Sequence, residues 1–162
     1  MSKFVSGLAV VLTAGALALA PQVAGAMGSS DSGSSSSRPA AKPVDSDYEK
    51  AVKLVEAQDY KGAVTLLRGV TRRDPSNPDA WNYLGYSLRK SGDYLNAISS
   101  YRQALAIDPD HKGAHEYLGQ AYLEIGNLPA AEEQLAALDS ICTFGCAEYT
   151  SLKQAVAKAK GS

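Results

Sequence analysis

The chain has 162 residues, with 16 Lys and Arg against 17 Asp and Glu. That length accommodates one modest domain with tails and argues against a multidomain enzyme. The near-even charge excludes the basic footprint of a nucleic-acid binder and of a polybasic membrane anchor.

The first predicted element is an address. A short positive start ending in Lys3 precedes an apolar run from Phe4 to Ala20, interrupted only by Ser6, Gly7, Thr13 and Gly15. Pro21 follows, and Ala24-Gly25-Ala26 forms a small-residue cleavage site before Met27. Charge, apolar stretch and small-residue site in that order describe a bacterial secretory signal peptide over residues 1–26. A membrane span needs about 20 apolar residues, slightly more than this run supplies. Neither a nearby Cys for acylation nor a twin-Arg pair is present. The expectation is export to the periplasm or beyond, with no membrane insertion once the segment is removed. Residues 27–46 are dominated by Gly, Ser and Pro, carry almost nothing to bury, and are expected to form a disordered linker.

From there the chain repeats itself at a shift of 34 residues. Asp74-Pro75 recurs as Asp108-Pro109, Leu84-Gly85 as Leu118-Gly119, Gly92 as Gly126, and Ala63 as Ala97 and Ala131. A fixed period of that size marks an array of stacked supersecondary units. In the middle unit, Trp81, Leu84, Gly85 and Leu88 form one stripe of an amphipathic helix. Ser91-Gly92-Asp93 breaks that helix, and Tyr94, Ala97, Tyr101 and Ala104 form the stripe of a second one, stopped by Asp108-Pro109.

This pattern of Trp, Leu-Gly, Ala, Tyr, Ala and Pro resembles the tetratricopeptide repeat. The resemblance implies an all-α solenoid over residues 47–160, with repeats at about 44–77, 78–111 and 112–145. Each repeat is a helix-turn-helix, with Gly85 and Ala97 at the crossing of the two helices and Trp81 buried against the preceding unit. The outer units depart from the pattern: Asp47 and His115 stand where Trp would, and Thr143 where Pro would. Residues 147–160 carry Tyr149, Leu152, Ala155 or Val156, and Ala159 at helical spacing, and are expected to form a capping helix ended by Gly161.

Cys142 and Cys146 are the two cysteines and lie in the turn before that cap. In an exported chain an even pair favours a structural disulfide. A redox-active dithiol is a second reading, although its usual spacing has two intervening residues instead of three. A metal site is a third and weakest, because His111 and His115 lie about 30 residues away. No Gly-rich phosphate loop and no metal-ligand spacing occurs, so no cofactor, metal site or catalytic residues are expected and the chain is not expected to be an enzyme.

In relatives of this family, the first helix of each unit lines a concave groove. By position in the repeat, the resemblance places Tyr48, Val52 and Glu56 in the groove from the first unit. The second unit contributes Asp79, Asn82, Tyr83, Tyr86, Arg89 and Lys90, and the third Glu116, Tyr117, Gln120 and Glu124. The cationic set with which chaperone-binding relatives hold a terminal carboxylate would fall at Tyr48, Val52, Tyr83, Gly113 and Tyr117. None of these is basic, so such a clamp is not expected. The expected function is that of a periplasmic adaptor or scaffold binding a peptide or helix of an envelope or secreted protein in the groove. The alternatives are thiol–disulfide chemistry at Cys142 and Cys146, or a structural subunit bound through its convex face or cap.

Overall fold

The computed structural model describes residues 45–161. The expected signal segment (1–26), and the expected linker (27–46) except its last two residues, lie outside the described residues. Those last two residues belong to the folded unit, which corrects the linker boundary: Ser46 begins a helix and Asp45 caps it.

Seven helices make up the described residues: α1 Ser46–Glu56, α2 Tyr60–Arg73, α3 Pro78–Lys90, α4 Tyr94–Ile107, α5 Lys112–Glu124, α6 Leu128–Ile141 and α7 Ala147–Lys160. Each starts where a side chain can take up a backbone N–H that the helix itself leaves unpaired. Asp59, Asp93 and Asn127, spaced by the 34-residue period, accept from the amides of Gly62, Asn96 and Ala130. Asn77 and His111 do the same for α3 and α5. A cap of this kind contributes about 1 kcal/mol, and these five mark the helix boundaries at the spacing of the repeat. At the other ends, Asp74 and Asp108 terminate α2 and α4 next to Pro75 and Pro109, which cannot continue a helix.

Successive helices pack in order along the chain, and α1 also touches α3, α3 touches α5, and α5 touches α7. Among the described residues, no such contact joins α2 to α4 or α4 to α6. The odd-numbered helices are therefore drawn together and the even-numbered ones splayed, which puts α1, α3, α5 and α7 on the inner side of a curved array.

The core runs along the array as a line of small residues facing large ones. Ala63, Ala97 and Ala131 are fully buried, as are Leu67, Tyr101, Leu138 and Leu152. A Cβ at Gly85 would stand 2.6 Å from a ring carbon of Tyr101, so the α3–α4 crossing requires glycine. Gly119 has a different neighbour: a Cβ there would meet Leu152 of the cap helix at 2.5 Å. The cap thus enters the core through the glycine of the last unit. Of its expected stripe, Leu152 and Val156 are buried, whereas Ala159 is exposed.

Trp81 corrects one expectation. It is half-buried, and its Nε1 donates to the Pro75 carbonyl at 3.0 Å. Because α2 and α4 do not meet, a wedge between them lined by Arg68, Arg72, Trp81, Asn96 and Ser99 leaves part of the indole open. Asp47, at the Trp position of the first unit, has a role of its own. With Asp45 it receives the Arg73 guanidinium, at 2.9 and 2.8 Å, tying the first turn of α1 to the end of α2.

Cys142 and Cys146 are joined as a disulfide, with their Cα atoms 5.7 Å apart. Cys142 ends α6, while Cys146 starts α7 and its Sγ accepts from the Tyr149 amide. The bridge therefore ties the cap to the last repeat, with Phe144 fully exposed on the intervening turn. Such a short loop places its contribution at the low end of the usual range, about 2 kcal/mol. Replacing both cysteines by serine should lower the melting temperature by several degrees, measured by circular dichroism; an unchanged melt would show that α7 docks without the bridge.

The interhelix turns generate a second prediction. Gly92 and Gly126 occupy the left-handed region, at φ 85° and 74°, one period apart. The equivalent position in the first unit is Gln58, at φ 62°. A side chain there costs roughly 1–2 kcal/mol, partly offset by the greater unfolded-state freedom of glycine. Gln58→Gly should raise stability by about 0.5–1 kcal/mol in denaturant titration, and a loss of stability would show that the Gln58 side chain makes a compensating contact.

Candidate functional site

The inner face is built from tyrosines of α1, α3 and α5, of which Tyr83 and Tyr117 lie one period apart. Tyr48 on α1 meets Tyr83 on α3 edge-on, with ring centroids 5.9 Å apart. Tyr86 lies between Tyr60 at 6.1 Å and Tyr117 of α5 at 5.1 Å. Tyr117 in turn leans on the core ring of Tyr101 at 6.2 Å. The Arg89 guanidinium sits over the rings of both Tyr86 and Tyr117, at 5.6 and 5.7 Å, and the Lys90 ammonium lies 5.6 Å from the Tyr86 centroid. Cation–ring pairs of this kind contribute about 0.5–1 kcal/mol where exposed. They hold long basic side chains flat on the face instead of leaving them free in solvent.

Two adjoining cavities open on this face. One, of about 340 Å³, lies between α1, α3 and α5 and is lined by Val52, Val55, Glu56, Asp79, Asn82, Tyr83, Tyr86, Gly113 and Tyr117. The other, of about 500 Å³, is lined by Tyr48, Glu49, Val52, Lys53, Glu56 and Tyr83. Asn82 forms the floor of the first cavity. It is only 8% exposed, and its Oδ1 has no hydrogen-bond partner among the described residues. An unpaired buried acceptor costs about 1–3 kcal/mol. The buried Arg89 guanidinium and the Tyr101 hydroxyl lie beside each other behind this face.

The electrostatics follow from burial. The Tyr48 hydroxyl is pushed up to about 12, first by desolvation and then by the Asp79 and Tyr83 charges nearby. Tyr117 is raised as well, again mainly by burial. Asp79 accepts from His111 Nε2 at 3.1 Å through one oxygen. His111 Nδ1 accepts the Ala114 amide, which leaves the ring proton on Nε2 to donate to Asp79.

At the far edge, Glu116 accepts from Ser151 of α7 at 2.6 Å and from Gln120 at 2.9 Å. Burial raises the Glu116 carboxyl above the ordinary carboxylate range, with Glu148 adding to the effect and Ser151 opposing it. Among the described residues, no three His, Cys, Asp or Glu side chains converge to hold a metal ion.

The structure thus brings Tyr48, Tyr83, Tyr86, Tyr117, Arg89 and Lys90 onto one continuous surface. Asn82 lies beneath that surface, and Glu116 and Gln120 stand at its α5–α7 edge. Sequence reasoning missed Val55, which turns in from α1, and Ser151, which extends the face onto the cap. Ser151 lies one period after Tyr117, so the spacing carried the signal even though the residue type did not match.

A curved array of helix pairs with a tyrosine-lined inner face is an α-solenoid with a preformed groove. The chain belongs to the tetratricopeptide-repeat family: two family models described as tetratricopeptide repeat match residues 48–111 and 88–156. No curated protein sequence matches the chain significantly.

Solved structures share the fold. The first tetratricopeptide domain of Spaghetti (RPAP3), bound to an HSP90 peptide, superimposes with a TM-score of 0.65 at 19% identity, covering 72% of this chain and 91% of that one. PcrH in complex with the chaperone-binding region of PopD gives a TM-score of 0.63 at 17% identity, over 71% and 86% of the two chains. Yersinia enterocolitica SycD with a peptide of the translocator YopD gives 0.62 at 20% identity, over 70% and 86%.

Proposed function

We propose that this chain is an exported adaptor that binds an extended segment or helix of a partner protein along the inner face of α1, α3, α5 and α7. The observation that carries the reading is the line of tyrosines from Tyr48 to Tyr117, with Arg89 clamped across two of them. Large, rigid rings with polar tips supply contact area at little entropic cost, and interfaces concentrate their energy in such residues and in Arg. That three neighbours in fold are solved with peptides or chaperone-binding regions of their partners supports a protein partner here too. Recognition is by surface complementarity, with no bond made or broken.

The envelope location is supported by the signal-type pattern of residues 1–26 and by the disulfide, since such bonds persist in oxidising compartments. The Cys142–Cys146 bridge serves as a tether in this reading. With Cys142 only 9% exposed, attack on that sulfur by an external thiol is hindered.

Tyr83 and Tyr86 are half-buried ring partners on the open side of α3 and so are the residues to test. Replacing both by alanine should weaken capture of the partner from an envelope extract at least tenfold, equivalent to about 1.4 kcal/mol, while the helical signal is kept. Undiminished capture by the double variant would move the binding surface to the convex face. Mass spectrometry of the exported protein should find a mature N-terminus at Met27, and an intact N-terminus held in the membrane would overturn the export reading.

A further inference from the structure

The two ends of the array bury least. α1 buries only Ala51, α6 Ala131 and Leu138, and α7 Leu152 and Val156, whereas α3, α4 and α5 bury five or six residues each. Each end also carries a fastening that is not apolar packing. Arg73 holds the start of α1 through Asp45 and Asp47, and the Cys142–Cys146 bridge holds the start of α7. The polar ties from Ser151 to Glu116 and from Lys160 to Glu132 lie at the surface, where such pairs contribute little.

The bridge stands where it can open without disturbing the repeats. The turn that it closes, Thr143, Phe144 and Gly145, is exposed, and Cys146 is half-buried where Cys142 is buried. An incoming thiolate therefore meets Cys146 Sγ first. That sulfur accepts the Tyr149 amide at the start of α7, and the same N–H supports a Cys146 thiolate once the bond is broken. Glu148 in the same turn tempers that effect. Only four positions apart in the chain, the two sulfurs have a short loop to close when the bond forms again.

We propose that the Cys142–Cys146 bridge is a redox latch, opened by a protein dithiol, that releases α7 from α5. One thiolate of the dithiol attacks Cys146 Sγ, and Cys142 leaves as a thiolate. The second dithiol sulfur then attacks the first, forming the dithiol's own disulfide and releasing Cys146. Two electrons pass from the dithiol to the bridge, and its two protons go to the cysteines or to solvent. With the tether gone, Leu152 withdraws from the space over Gly119, and Ser151 from Glu116. The latch is independent of the groove reading, because it concerns α7 alone.

The test is hydrogen exchange, read by mass spectrometry, on the full-length oxidised chain and on the same chain treated with dithiothreitol without denaturant. Reduction should free both thiols and speed exchange of the α7 amides at least tenfold, while α3 and α4 keep their protection. Reoxidation should restore the slow rate. Cys142→Ser with Cys146→Ser should show the reduced pattern without any reductant; if it fails to fold, the dithiothreitol comparison on the unaltered chain decides alone. A bridge that resists dithiothreitol until the repeats melt would overturn the latch. So would α7 protection unchanged by reduction, or protection lost from α3 to α7 alike.

Discussion

Gly85 lies beneath the ring of Tyr101, and the absence of a side chain at that point allows α3 and α4 to close on each other. Tyr101 is fully buried and leans on Tyr117 at 6.2 Å, and Tyr117 leans on Tyr86 at 5.1 Å. A contact chosen for helix packing therefore continues, ring by ring, to the surface of the groove. Interiors are close-packed, so a displacement at one end of such a row is transmitted and not absorbed. A methyl group at Gly85 would push Tyr101 outward, and with it the wall of the cavity. Core and groove wall are one packed unit here, which is why Tyr117 cannot be regarded as a free surface residue.

The architecture was legible because its causes are local and periodic. A cap at Asp59, Asp93 and Asn127, a glycine turn at Gly92 and Gly126, and an alanine at the crossing in all three units recur at one spacing. Such signals survive without any knowledge of long-range contacts. Trp81 was harder to read, because its burial depends on whether α2 and α4 meet behind it, and that is decided by the curvature of the whole array. Asn82 was placed on the groove by its register, yet its depth depends on Gly113 of the next unit, whose missing side chain lets α5 come close: a Cβ there would stand 3.3 Å from the Asn82 amide nitrogen. Gly119 carried the right residue for a crossing, but the partner that fills the space is Leu152 from the cap, outside the repeating pattern.

The same distinction separates the groove's shape from its charge. Tyrosines one period apart predict a shared face, since stacking repeats superimposes equivalent positions. The carboxylates are not kept along the array: one period on from Glu56 and Asp79 stand Lys90 and Gly113, while Asp45, one period before Asp79, is taken up by Arg73. Polarity along the groove is thus an individual property of this chain. Glu56 and Asp79 stand at one cavity, while Arg89 and Lys90 are laid over Tyr86 and Tyr117. A fold shared at identities of 17–20% leaves such positions free to differ while the packing positions stay recognisable.

The cap links the covalent bridge to the groove through a short path. The disulfide fixes where α7 begins, and Cys146 Sγ sets its first turn by accepting the Tyr149 amide. One turn further along, Ser151 donates to Glu116, which also receives Gln120, so a half-buried carboxylate on α5 is held by donors from two helices. Glu116 is adjacent to Tyr117, and its carboxyl is already kept high by desolvation. Withdrawing α7 would remove the Ser151 donor and expose that carboxyl further, at the edge of α5 that carries Tyr117. The bridge thus reaches the groove without lining it: it fixes where α7 begins, and α7 holds Glu116 beside Tyr117.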